Sequence, residues 1–101
     1  KFVVPATDKE YFSAWAQYTL RAKDENERTK IINGMKEKGI PVMIYYPIPL
    51  HEQEAYKNLG YENIKLPNCS QIAKQVFSLP MHPYLSREEV QFVCDTLKGC
   101  I

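Results

Sequence analysis

Two prolines stand one residue apart in Tyr45-Tyr46-Pro47-Ile48-Pro49-Leu50-His51, and this stretch constrains the chain more than any other. Each proline locks its own φ, lacks an N–H donor and pushes the residue before it toward extended backbone. Helix and ladder pairing are both closed to such a segment, so residues 45–51 read as a stiff extended loop. Two adjacent tyrosines in extended backbone point to opposite faces. One of them can pack into a core while the other shows its ring and hydroxyl outward, able to lie on a sugar or base. Prolines keep that display rigid and lower the ordering cost of binding. His51 adds a possible donor to a phosphate or sugar hydroxyl. The plainer alternative is a strand-to-helix connection with both tyrosines packed.

The flanking sequence supplies the frame. From Phe12 to Ala22 apolar residues alternate with polar ones, which suggests a strand with one face on a core. Asp24 and Glu27 resemble a capping box, and Ile31, Ile32 and Met35 form the stripe of a helix that runs to about Lys38. Gly39 fits the left-handed position beyond a helix end. Gly34 inside that helix costs about 1 kcal/mol relative to Ala, so close packing is expected there. Ile40 to Tyr46 is β-branched and aromatic, a short buried strand with Pro41 near its start. Glu52 to Leu59 reads as a short helix closed by Gly60. Asn68 caps another helix, with Cys69, Ile72, Ala73 and Val76 at helical spacing. Val76 to Leu79 is a brief strand stopped by Pro80. Met81 to Leu85 is a second proline-rich loop. Ser86 and Glu89 form a capping box for a last helix with Val90, Val93, Cys94 and Leu97 inward, ended by Gly99. The expected architecture is α/β (α+β): a two-layer sandwich, with a small sheet of about three strands and helices mainly on one face.

At 101 residues the chain suffices for a single domain, residues 1–101, with 1–11 as an irregular lead-in. Apolar residues at 45% and charged residues at 25% are those of a folded globular domain. A formal net charge of +1 gives no electrostatic footprint for nucleic acid or an anionic membrane surface. The apolar run Ile40 to Leu50, broken by three prolines, is far short of the roughly 20 residues that a membrane span needs. Lys1-Phe2-Val3-Val4-Pro5 has no apolar core adequate for a signal peptide. The first residue is Lys1 and not Met, so an excised piece of a longer protein is one expectation. Cys69, Cys94 and Cys100 are too few and too spread for a disulfide framework. They read as reduced thiols, Cys69 and Cys94 on apolar helix faces and Cys100 exposed beside the terminus, in a reducing cytoplasm. No ligand spacing for zinc occurs, and no metal is expected. No nucleophile–base pair or phosphate-cradling motif is visible, so no residue is assigned a catalytic role.

Several blocks together carry a family resemblance. They are Gly39-Ile40-Pro41; Tyr45-Tyr46-Pro47-Ile48-Pro49-Leu50-His51-Glu52-Gln53; Ala55-Tyr56; Leu59-Gly60-Tyr61; Leu66-Pro67; and Phe77-Ser78-Leu79-Pro80-Met81-His82-Pro83-Tyr84-Leu85-Ser86. In this order and spacing they resemble the C-terminal part of the DegT/StrS-type aminotransferases. Ser13-Ala14-Trp15-Ala16-Gln17-Tyr18-Thr19 looks like the first strand of the same small domain. The resemblance covers essentially residues 11–98.

The resemblance implies the small domain of a fold-type I, pyridoxal-phosphate enzyme. Such enzymes put an amino group from an amino acid on a keto sugar of a nucleotide sugar, for cell-surface polysaccharide or lipopolysaccharide synthesis. The branch it looks closest to aminates 3-keto sugars of UDP-linked uronic acids. It also implies that Tyr45, Tyr46, Pro47 and His51 line the substrate side of the pocket. Tyr45 departs from the family pattern, which often has His there. The cofactor-binding lysine, the acid facing the pyridine nitrogen and the phosphate cup belong to the large N-terminal domain in such enzymes. None of the ten lysines here stands in a matching motif. A fragment of this kind is expected to be inactive alone, with its own large domain and the nucleotide sugar as partners and a homodimeric parent. The competing expectation is a stand-alone binding module of the same fold.

Overall fold

The computed structural model describes residues 2–61 and 63–101, and its centre is an antiparallel pair of short strands. Lys1, the first of the ten lysines, lies outside the described residues. Strand β1 (Tyr18–Arg21) pairs with β2 (Val76–Leu79), Leu20 opposite Phe77 and Thr19 opposite Ser78. Side chains alternate across the pair. Leu20 and Phe77 turn inward, while the Thr19 and Ser78 hydroxyl oxygens lie 2.8 Å apart on the other face.

Each strand also meets one further residue on its free edge. Val3 exchanges two 3.0 Å backbone hydrogen bonds with Arg21, and Met43 exchanges bonds of 3.1 and 2.7 Å with Ser78. The strand expected over 40–46 is therefore a single bridge, and the sheet has two strands instead of about three. Continuing the Met43–Ser78 register would set Pro41 opposite Pro80, and neither has an N–H to donate.

The strand expected from Phe12 is also cut short. The Ser13 hydroxyl accepts the Trp15 N–H at 3.2 Å, and Trp15 takes a φ of +49°. A side chain that bonds its own backbone competes with ladder formation. Phe12 is consequently 99% exposed. The alternation holds only from Tyr18, where Leu20 and Ala22 are buried.

Helix α1 (Glu25–Glu37) begins where the Asp24 carboxylate accepts the Glu27 N–H at 2.9 Å. The Glu27 carboxylate accepts the Lys23 N–H at 2.6 Å, one residue earlier than a strict capping box requires. It ends at Gly39, φ +72°, whose N–H reaches Lys36 O while Ile40 N–H reaches Met35 O. Two 3₁₀ turns, Leu50–Glu52 and Glu54–Leu59, replace the single helix expected at 52–59, and Gly60 closes them at φ +82°. Helix α2 (Pro67–Ala73) starts with proline at its first position, so Leu66 is the cap and Asn68 lies inside the first turn. Helix α3 (Arg87–Gly99) carries the expected capping box. Gly99 remains helical, and the following residue, Cys100, is the cap.

Helices α1 and α3 pack on each other, and α1 packs on β2. This makes a small two-layer α+β unit. Phe77, Ile31 and Met35 are fully buried at its centre, surrounded by Leu20, Ala22, Ile40 and Leu97. Phe2 meets Phe77 edge-on, with ring centroids 6.0 Å apart. Cys100 is half-buried against this core and not exposed as expected, because the helix end folds it over α1. There it explains Gly34: a Cβ at that position would stand 2.6 Å from the Cys100 sulfur.

Two outcomes follow for stability. In Gly34→Ala the Cys100 sulfur must move aside, so the melting temperature should rise by less than the helix-propensity gain of about 1 kcal/mol alone would give. In a Cys100→Ala background the same change should give the full rise, and thermal melting of the four chains checks this cycle. The second outcome concerns Glu89. Its carboxyl is held below the usual 4.5, first by the Ser86 backbone N–H and then by the Ser86 hydroxyl. A lowered folded value gives stability that is present above 4.5 and is lost as pH falls through the folded value. Melting of Glu89→Gln should show a shallower acid limb below pH 4.5 than the parent chain.

Candidate functional site

The proline-rich loop and α2 enclose a groove of about 520 Å³. Tyr45, Tyr46 and His51 stand on the loop side. Cys69, Ile72 and Ala73 of α2 form the facing wall, with Val76 of β2 at the base. The Met43–Ser78 bridge fixes where the loop leaves the sheet, two residues before Tyr45.

The tyrosines do not divide between core and surface. Both line the groove, with ring centroids 6.0 Å apart and planes at 76° in an edge-on pair; the peptide between them is cis. Tyr46 is 70% exposed and Tyr45 39%. The backbone bends at Tyr45, so the alternation of an extended segment does not carry through the pair. Tyr45 is thus not the core residue that an extended segment would make it.

His51 is held inside the wall, its side chain only 12% exposed. Its Nε2 lies 3.4 Å from Glu52 Oε1, and the same carboxylate oxygen accepts the Ser70 hydroxyl. Loop and α2 are tied together through this contact. Pro47 is exposed and does not line the groove; Pro49, buried, takes that place. Of the four expected residues the fold brings together Tyr45, Tyr46 and His51. The α2 residues Cys69 and Ile72 were legible as a helical apolar face, but that spacing alone does not distinguish a core from an open groove. Cys69 is exposed into it.

The second proline-rich loop lines a separate groove of about 440 Å³, with Met81 and His82 facing Tyr18 and Cys94. His82 Nδ1 accepts the Tyr84 N–H at 3.2 Å, which makes the segment a turn into the capped α3. Among the described residues no cluster of three or more His, Cys, Asp or Glu side chains is placed to hold a metal ion.

Residues 1–98 match the model of the DegT/DnrJ/EryC1/StrS aminotransferase family. The chain belongs to that family. It is 38% identical over 93 residues to UDP-2-acetamido-2-deoxy-3-oxo-D-glucuronate aminotransferase of Pseudomonas aeruginosa, covering 92% of this chain and 24% of that protein. It is 40% identical over 86 residues to a pleiotropic regulatory protein of Geobacillus stearothermophilus, covering 85% and 22%. The fold superposes on a DegT/DnrJ/EryC1/StrS aminotransferase from Brucella abortus with a TM-score of 0.82 at 33% identity, covering 97% of this chain and 26% of that one. With DesV of S. venezuelae, solved in complex with a ketimine intermediate, the TM-score is 0.86 at 28% identity, with the same coverage. The chain spans about a quarter of the length of the relatives it matches.

Pyridoxal phosphate needs a lysine amine for covalent attachment and a cradle of N–H groups or cations for its phosphate. Among the described residues no lysine or arginine lines the groove, and apart from His51 and Cys69 its walls are tyrosine, proline and aliphatic side chains. These residues do not fit that cofactor. Mixed with pyridoxal phosphate and reduced with borohydride, the chain should give no stoichiometric adduct at a single lysine. Mass spectrometry of the digest reads this, and one fully modified lysine would show the opposite.

Proposed function

We propose that this chain is the C-terminal small domain, a single unit with a short lead-in, of a pyridoxal-phosphate-dependent nucleotide-sugar aminotransferase. The groove between the proline-rich loop and α2 is the substrate-side wall of the parent's pocket. The large N-terminal domain supplies the cofactor and its lysine. Tyr46 presents its ring and hydroxyl to the sugar nucleotide, Tyr45 supports it edge-on, and His51 stiffens the wall. The observation that carries this is the tyrosine pair held at the mouth of an apolar groove. An aromatic pair held by prolines loses little conformational freedom when a ligand arrives.

The substrate we propose is a 3-keto sugar of a UDP-linked uronic acid, destined for cell-surface polysaccharide. The support is the 38% identity to the Pseudomonas aeruginosa aminotransferase of that name. The spore coat polysaccharide biosynthesis protein SpsC of Bacillus subtilis, 27% identical over 93 residues, is in keeping with the polysaccharide role. The parent works in the cytoplasm as a homodimer, without nucleic acid. Among the described residues no helix is long and apolar enough to cross a membrane. The exposure of Tyr11 and Phe12 favours a domain of a larger enzyme over a stand-alone module, since bare aromatic surface marks a contact face.

Kinetics of the full-length parent test the assignment. Tyr46→Ala should lower kcat/KM by about 5- to 150-fold, as expected for roughly 1–3 kcal/mol of lost contact and hydrogen bonding. Its melting temperature should change little. Tyr45→Ala, now placed in the same groove, should also weaken binding, by a smaller factor. An early-melting Tyr46→Ala with normal kinetics would make the loop scaffold only.

A further inference from the structure

Three polar residues are buried among the described residues: Arg28, Gln75 and Ser78. Ser78 holds Met43 by two backbone bonds. The Gln75 side-chain oxygen accepts Arg21 Nε at 2.7 Å, and its amide nitrogen donates to Lys23 O at 2.6 Å. Those two residues join strand to strand and are well satisfied. Arg28 is different. From α1 its Nη1 donates to Ala73 O at 2.8 Å, while its Nη2 is 3.5 Å from an exposed Glu25 carboxylate. Its Nε has no partner. A guanidinium buried for one neutral acceptor is a poor stabiliser, because desolvation is not recovered by a single strong bond. What the bond does accomplish is local. Ala73 is the last residue of α2, and the final carbonyls of a helix have no partner within it.

We infer that Arg28 is a positioning residue for the groove. Reaching from α1, it pins the C-terminal end of α2 and so sets the wall bearing Cys69 and Ile72 at its distance from Tyr45 and Tyr46. The inference rests on the groove being the substrate wall proposed above. Ser70, midway along the same helix, is tied to the loop by Glu52. Held at its middle and at its C-terminal end, a seven-residue helix too short to be stable by itself keeps one place.

The test uses the full-length enzyme with Arg28→Met and Arg28→Lys. The amides of Lys74 and Gln75, bonded to Gln71 O and Ile72 O, report the α2 end by hydrogen exchange. In Arg28→Met they should exchange about 10-fold faster, with the Ile31 to Met35 amides of α1 unchanged. KM for the nucleotide sugar should rise about 10-fold in Arg28→Met and about 3-fold in Arg28→Lys, with kcat within about 2-fold of the parent. Melting temperatures should move little. An unchanged KM in whichever variant folds overturns the inference, as does a KM change with normal exchange at 74 and 75. Tyr46→Ala is measured alongside. If it raises KM and the Arg28 variants do not, the positioning role alone falls. If none of them moves KM, the groove is not the substrate wall and both readings fall.

Discussion

β2 is hydrogen-bonded along both edges: β1 lies on one side, with Leu20 opposite Phe77, and Met43 bonds Ser78 on the other. Phe77 is the fully buried centre on which α1 and the Phe2 ring converge. Val76, one residue away, points to the opposite face and forms the base of the groove. A single four-residue strand therefore organises the core with one set of side chains and the site with the other. The loop that carries the tyrosines inherits its position from the same strand through Met43.

In the function proposed above, the groove and the rest of the parent divide the chemistry between them. Among the described residues its lining carries surface for contact and shape but no lysine or arginine for a phosphate. A wall of this kind contributes to recognition by excluding water and restricting orientation, which is where much of the gain from a bound geometry arises. Such a contribution is realised only when another surface supplies the reacting groups, so in that proposal the groove is one half of a site in the chemical sense.

Much of the frame was legible in the sequence because it is local. Asp24, Ser86 with Glu89, Gly39 and Gly60 each act within a few residues, and each stands at a helix or turn boundary close to the expected one. Gly34 was legible as a close approach, though not that Cys100 makes it. The extents of the strands were not legible. Phe12 to Ala16 alternate correctly but have no partner to pair with, and a period of two says nothing about the neighbour. The tyrosine faces were not legible because the backbone bends at Tyr45, and alternation holds only through extended backbone. The apolar spacing of Cys69, Ile72 and Ala73 gave the helix, but which neighbour faces it depends on the tertiary packing of the loop. Arg28 gave no signal: inside a helix it looks like any solvated cation.

The one-residue bridges at Val3 and Met43 leave the sheet with two short, ragged borders. Pro5 stands two residues beyond Val3, and Pro41 two residues before Met43. Those are the positions at which an antiparallel ladder would next need a donor, and proline has none. A second copy arriving edge to edge finds no continuous row of N–H groups to pair with. The residues that keep this sheet small thus also guard a chain with much bare apolar surface against strand-to-strand aggregation.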